Sequence, residues 1–313
     1  MPIPLRMSAF SNFMDWAWIC LLKQLRPCDP QGAPLRQRNR KIRNSILQYY
    51  KNHPSSDATV NECLQYLRRR TDAVYFPAPF RDKYRFRDVP LDFDADGTPF
   101  SLLPDGNRLY FLPDAQPDRV RMAINNLRIE QDEASPHRYL TDEFTIVEDD
   151  ILADVGCAEG ILSLQYAEKA KHIYLFETEE VWIKVLEKTF APWRDKVTIV
   201  KRFVSDQDKG DNIRLDTFFR QEGVRPTFVK LDVEGGELAA LRGMEGLFVQ
   251  HYPIKIAACC YHYQGEYDDL KAFASQHDFR HETSTGWMLF GLYDEPQPPF
   301  FRHGLLRMWA NER

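Results

Sequence analysis

The chain has 313 residues, of which 43% are hydrophobic and 28% charged. That is enough apolar material to bury a sizeable core, and it excludes a disordered protein over most of the length. The net charge of −5 gives no overall attraction to nucleic acid or to an anionic membrane, so no nucleic-acid partner is expected.

The six cysteines, at positions 20, 28, 63, 157, 259 and 260, have no C-x-x-C or other zinc spacing and read as reduced core residues of a cytoplasmic protein. Near the N-terminus, Ala9-Phe10, Phe13-Met14 and the run Trp16 to Leu22 are apolar, but Asp15 interrupts them and Lys23 closes them. This leaves far fewer than ~20 uninterrupted apolar residues, so no transmembrane segment is expected. No cleavage site marks a signal peptide. The segment reads as an amphipathic helix that packs on the body or on a partner chain, a route to a homo-oligomer, with an interfacial membrane helix as the alternative.

Residues 26–40 carry Pro27, Pro30, Gly32 and Pro34 and then the basic run Arg36 to Lys41, which predicts a linker before a helix. Apolar spacing predicts helices from Ile42 to Tyr50 and from Val60 to Leu67. Beyond Arg70, Tyr75 to Phe80 and Pro90 to Asp94 are too proline-rich for helix, and short strands and turns are expected through Arg108 to Leu112. Val120 to Glu130 is helical by period. The polar loop Gln131 to Leu140 follows, and in it Gln131, His137 and Tyr139 are placed to close over a site and touch an acceptor. We divide the chain here: residues 1–140 form a helical and irregular extension (lid, acceptor or oligomerisation segment), and residues 141–313 form the core domain.

From residue 145 strands and helices alternate. Strand 151–156 leads to helix 160–170, strand 172–177 to helix 179–190, and strand 197–204 to a loop. Strand 227–233 leads to helix 236–243, and strand 254–260 to helix 266–277. A last pair of strands, 279–285 and 287–293, turns at Gly286. The pattern predicts an α/β parallel sheet covered on both faces and closed by an antiparallel hairpin, with ligands at the carboxyl ends of the strands.

The first of these strands ends in Asp154-Val155-Gly156-Cys157-Ala158-Glu159-Gly160, a strand, tight loop and helix start whose glycines suit close approach to a ligand. A dinucleotide loop needs G-x-G-x-x-G, but Ala158 stands at the middle glycine, which favours S-adenosylmethionine over NAD. The next strand ends in Glu177, whose carboxylate can accept both ribose hydroxyls.

Lys230 and Asp232 share one face of a strand that should be apolar, either as a structural ion pair or because Asp232 projects toward the methyl donor and the accepting hydroxyl. Glu234 and Glu237 flank a double-glycine turn, and His262 reaches the same sheet edge, where it is a candidate general base beside Asp232. Ser205 and Asp206 follow strand 197–204 and can meet an adenine edge.

Together, Asp154 to Gly160, Phe176-Glu177, Val204-Ser205-Asp206, Leu215-Asp216-Thr217 and the string Lys230-Leu231-Asp232-Val233-Glu234-Gly235-Gly236-Glu237-Leu238 resemble the FkbM family of S-adenosylmethionine-dependent methyltransferases, from about Phe144 to Tyr293. The resemblance implies a Rossmann-like class I methyltransferase sheet of seven strands and, usually, O-methylation of sugars or natural-product hydroxyls. Carried over by position, it implies that Asp154, Gly156 and Gly160 hold the donor's methionine end, with Cys157, Ala158 and Glu159 in the same loop, that Glu177 holds its ribose, and that Ser205 and Asp206 hold its adenine. Thr178 stands where the family often has proline.

Some related sugar methyltransferases use a divalent metal. Here no spacing rule assigns magnesium to Asp232, Glu234 and Glu237. The expected activity is O-methylation of a small-molecule or glycan acceptor, with His262, Asp232 and Lys230 as catalytic candidates. The alternative is a non-catalytic binding or scaffold protein on the same fold.

Overall fold

A computed structural model describes residues 32–248, 253–290 and 296–310. The amphipathic N-terminal segment, Cys20 and Cys28 lie outside the described residues. Helix α1 (Gly32–Asn52) occupies much of the expected linker. Pro34 sits in its first turn, where a missing N–H breaks no helical bond, and the basic run continues the helix. Helix α2 (Ala58–Arg68) is capped by Asp57, whose carboxylate accepts the N–H groups of Thr59 (2.7 Å) and Val60 (3.2 Å). Strands β1 (Asp92–Phe93), β2 (Pro99–Leu102) and β3 (Arg108–Tyr110) form a small antiparallel sheet, and helix α3 (Pro117–Glu130) follows.

The central sheet contains β4 (Ile151–Val155), β5 (His172–Phe176), β6 (Val197–Val200), β9 (Phe228–Leu231), β10 (Lys255–Cys259), β11 (Phe279–Thr283) and β12 (Leu305–Ala310), and its order is β11-β12-β10-β9-β4-β5-β6. The first five are parallel, and β12 runs antiparallel between β10 and β11. This is the expected seven-stranded Rossmann-like class I methyltransferase sheet. Helices α4 (Ile161–Gln165), α5 (Glu180–Thr189), α6 (Leu215–Glu222), α7 (Glu237–Arg242) and α8 (Glu266–Gln276) connect it, with a two-stranded side sheet of β7 (Phe203–Val204) and β8 (Asn212–Ile213). The chain runs outward from β4 to β6 and then returns to lay β9 on the other side of β4. The strand order therefore reverses between β4 and β9, and the crevice lies at their carboxyl ends.

Three expectations change. The closing hairpin is not 279–285 with 287–293: β11 pairs with β12, and Met288 instead bridges Arg302 while the Leu289 N–H donates to the Tyr75 carbonyl at 2.8 Å. The apolar run after Gly286 thus joins the N-terminal segment rather than the sheet. Helix 160–170 stops at Gln165, and strand 197–204 breaks into β6 and β7. Strand 227–233 ends at Leu231, so Asp232 stands beyond the strand and does not share a pleated face with Lys230.

The hydrophobic core runs continuously across residue 140. Val120, Ile124 and Ile129 of α3 are buried with Leu152, Leu164 and Ile173 of the sheet layer. Phe100 and Tyr110 pack on Trp182 and Val185 of α5, and Ile46, Leu64 and Leu67 pack on Leu289, Phe300 and Phe301. Burial at these contacts is the main force fastening the extension over the crevice.

Candidate active site

On the β4–β5 side, the glycines of the loop make room for protein, and Gly156 also lines the cavity. Gly156 has φ +72°, and an added Cβ would lie 2.0 Å from the Asp232 carbonyl oxygen, so this glycine lets the loop after β4 press against the loop after β9. Gly160 (φ +79°) likewise makes room for Leu186 and Phe190. The cavity is faced by Cys157, Ala158 and Glu159, with Ala158 held left-handed at φ +47°. The Glu177 carboxylate accepts the N–H groups of Ala158 (3.1 Å), Thr178 (2.6 Å) and Glu179 (2.9 Å), which lock it at the strand end facing the same cavity. Burial pushes this carboxyl upward, and the three N–H bonds oppose the shift.

Asp154 and Lys230 line the cavity but are largely committed to each other. Lys230 Nζ stands 3.2 Å from Asp154 and donates to the Gly156 carbonyl at 2.6 Å, while Ser163 donates to Asp154 at 2.7 Å. Burial would lower the Lys230 pKa, but the charges of Asp154 and Asp232 outweigh it and hold the ammonium protonated. Its ion-pair partner is Asp154, and its place is to anchor the glycine loop. Ser205 and Asp206 bond each other at 3.3 Å and do not line the cavity, whereas Arg202, Phe203 and Val204 just before them do.

The β9–β10 side centres on Asp232. Tyr139 donates to its Oδ2 at 2.8 Å and Tyr261 to its Oδ1 at 3.4 Å, and His137 Nε2 lies 3.8 Å from Oδ2 and 3.1 Å from the Tyr261 hydroxyl. Gln131 accepts the Tyr139 N–H at 3.2 Å, so all three loop residues singled out from the sequence meet at the cavity. Burial would raise the Asp232 pKa, but the nearby His262 ring and the charge of Lys230 hold it well below the usual carboxylate range. Burial lowers His137 to about 4, so that ring is neutral at pH 7.

His262 does not line the cavity. Its Nδ1 is 3.2 Å from Glu237 and 3.5 Å from Glu266, and its Nε2 is 3.4 Å from Asp232 and 3.8 Å from Glu234. A metal is not supported. Among the described residues, Asp232, Glu237 and His262 come within ligand spacing, as do His137, Asp232 and Cys259. In the first group the His262 ring lies 3.4 Å from Asp232 and 3.2 Å from Glu237, so an imidazolium can itself supply positive charge there.

Sequence reading missed Glu130, the last residue of α3, which faces the cavity. Burial first, then the Asp232 and Glu159 charges, push its carboxyl up to about 8. Glu159 is pushed by burial to about 7. Tyr75, Phe76, Phe111 and Phe290 in the cavity wall were also missed. The one sequence signal for Glu130 was its place at the junction of an amphipathic helix and a polar loop.

The donor-side residues fit S-adenosylmethionine. A fixed carboxylate at the β5 end suits the ribose hydroxyls, Phe203 and Val204 give an apolar wall for adenine, and the acids Glu130 and Glu159 suit a cationic ligand.

Comparisons with known proteins agree. The family model "Methyltransferase FkbM domain" matches residues 111–281, beginning early enough to include α3 and the loop after it. No curated protein matches the chain. Among solved structures, the chain is similar to a precorrin-6Y C5,15-methyltransferase from Geobacter metallireducens GS-15 (12% identity, TM-score 0.37, covering 53% of this chain and 83% of that one). It is also similar to an rRNA methylase from Streptococcus thermophilus (13%, 0.36, 54% and 90%) and to a magnesium protoporphyrin IX methyltransferase from Synechocystis PCC 6803 with bound SAM (15%, 0.35, 52% and 71%). Because the family match spans more than half of its length, the chain belongs to the FkbM methyltransferase family and is an S-adenosylmethionine-dependent methyltransferase.

Proposed function

We propose that this methyltransferase acts on a hydroxyl of a small-molecule acceptor, a sugar, glycan or natural product. The observation that carries this reading is that the donor-side loop and Asp232 open into one cavity of about 250 Å³, roofed by Tyr75, Phe76, Phe111 and Leu127 of the extension. Such a roof suits a small acceptor enclosed beside the donor, and it supports a part for residues before 141 in acceptor choice.

S-adenosylmethionine, when bound, supplies an activated methyl group on a sulfonium sulfur. Glu177 holds the ribose hydroxyls, Phe203 and Val204 flank the adenine, and Glu130 and Glu159 face the cationic end. Asp232 accepts the hydrogen bond of the acceptor hydroxyl and aims its oxygen at the methyl carbon. With the donor bound, the acceptor oxygen would take its methyl group, S-adenosylhomocysteine would leave, and Asp232 would receive the hydroxyl proton. Since the donor is already activated, most of the acceleration comes from holding both partners in line, an effect worth up to ~7–11 kcal/mol in well-oriented systems. Tyr139 and the roof exclude water from this contact.

The test is calorimetric titration with S-adenosylmethionine, S-adenosylhomocysteine and NAD, followed by a screen of hydroxyl acceptors for S-adenosylhomocysteine release. Donor binding with transfer to hydroxyls supports the reading. Donor binding with transfer only to nitrogen or carbon would replace the hydroxyl assignment, and binding without any turnover would favour a scaffold role.

A further inference from the structure

The acids of the K-x-D-x-E-G-x-E string converge on one buried ring. Past the end of β9, Glu234 (φ +58°) and Gly235 (φ +96°) are consecutive left-handed residues, which fold the chain back so that Asp232, Glu234 and Glu237 surround His262. A fourth acid, Glu266, opens α8 four residues after His262 and accepts its backbone N–H at 2.6 Å. The ring is 1% exposed and the two acids at Nδ1 are fully buried, whereas Asp232 (19%) and Glu234 (23%) at Nε2 reach the cavity. The imidazole thus lies beside two dry carboxyls and two that reach the cavity.

We infer that His262 is a positioning residue: a permanently protonated imidazolium, lodged with Glu237 and Glu266 near Nδ1 and Asp232 and Glu234 near Nε2, whose charge keeps the Asp232 carboxylate ionised at the cavity. The inference rests on the reading of Asp232 as the group that meets the acceptor. A buried ring within 4 Å of several carboxyls is held charged by those that are ionised, and one already protonated has no lone pair to receive a proton.

The other groups around the ring agree. Tyr261 lies tilted against the ring at 4.1 Å between centroids, Phe290 closes another side at 5.5 Å, and Arg302 donates to the Tyr261 and His262 carbonyls. Lys230 and His137 lie beyond Asp232, and the neutral state of His137 leaves His262 the protonated imidazole of the pair. Burial would lower the His262 pKa, but the nearby Glu237, Asp232, Glu266 and Glu234 carboxyls raise it well above the ordinary value. Burial keeps Glu237 itself well above the carboxylate range, and the facing Glu266 adds to this.

The test begins without turnover. Side-chain nitrogen spectra of the full-length protein with labelled histidine, recorded from pH 5.5 to 9, should show one ring protonated on both nitrogens through pH 8. That signal is assigned by its loss in His262→Gln or, if this variant does not fold, by its displacement in Glu234→Gln. In Glu237→Gln it should titrate at a lower pH. A His262 ring titrating at or below about 6.5, the unperturbed value, would overturn the inference.

The second readout is the pH profile of methyl transfer. In His262→Gln the acid limb should move up by at least one unit relative to the wild type, with donor affinity unchanged. A uniform loss at all pH values would reduce His262 to a structural role and overturn the positioning claim. If the wild type transfers no methyl group to any hydroxyl, the proposed function fails while the ring's protonation is still decided by the spectra.

Discussion

On the β4–β5 rim of the crevice, the polar groups that face the cavity are fixed by backbone: Glu177 is held by three N–H groups of its own neighbourhood, and the glycine loop is shaped by left-handed residues. On the β9–β10 rim they are fixed by buried charges and hydroxyls drawn from several elements. Asp232 meets Tyr139 from the loop after α3, Tyr261 and His262 from the end of β10, and His137 from the same loop as Tyr139. A backbone-built site is robust to side-chain change but rigid. A charge-built site depends on each partner's protonation and so responds to pH and to single substitutions.

The largest effect should come from the charged rim. Asp232→Asn should lower the transfer rate by about 10²–10⁴-fold, the usual range for a general acid–base group, while donor affinity stays within about threefold. The rim contact itself is broken by Gly156→Ala, whose Cβ would meet the Asp232 carbonyl at 2.0 Å. Chemical denaturation should show a loss of about 3 kcal/mol or more, the scale of a forced backbone clash.

On the backbone-built rim, Glu177→Ala should weaken donor binding by roughly 10–150-fold, since hydrogen bonds to a charged group contribute about 1.5–3 kcal/mol. Tyr139→Phe, which removes one 2.8 Å bond to Asp232, should slow transfer by about 5–10-fold and leave donor binding unchanged.

The smallest effect is a pH trend. Glu130 and Glu159, with carboxyls raised to about 8 and about 7, are largely protonated below those values and ionise above them. A cationic donor favours the ionised forms, so its affinity should rise with pH between about 6 and 9, by at most tenfold per unit for each group, and should flatten in Glu130→Gln. Calorimetry in two buffers of different ionisation enthalpy would detect the proton released on binding.

The contrast between the rims also explains what could be read in advance. Asp154 to Gly160 and Glu177 are local in sequence and carry their geometry in glycine spacing and strand ends, so the donor side was legible. The pairing of Lys230 with Asp154 was not, because it joins neighbouring strands whose register is set by the sheet. The gathering of four acids on His262 depends on a turn, two helix starts and the end of β10, and no spacing within one segment encodes it. The closing hairpin was misread for a similar reason: the run Trp287 to Phe290 alternates well enough for a strand, yet its partners are Tyr75 and Arg302, which only the folded extension brings near.

The most direct test of the two-rim account is calorimetric titration of S-adenosylmethionine into the wild type, Glu177→Ala and Asp232→Asn. The account predicts clear binding to the wild type, at least a tenfold loss in Glu177→Ala, and affinity within about threefold of wild type in Asp232→Asn. Unchanged affinity in Glu177→Ala, or a collapse of binding in Asp232→Asn, would contradict the division of donor and acceptor roles between the two rims.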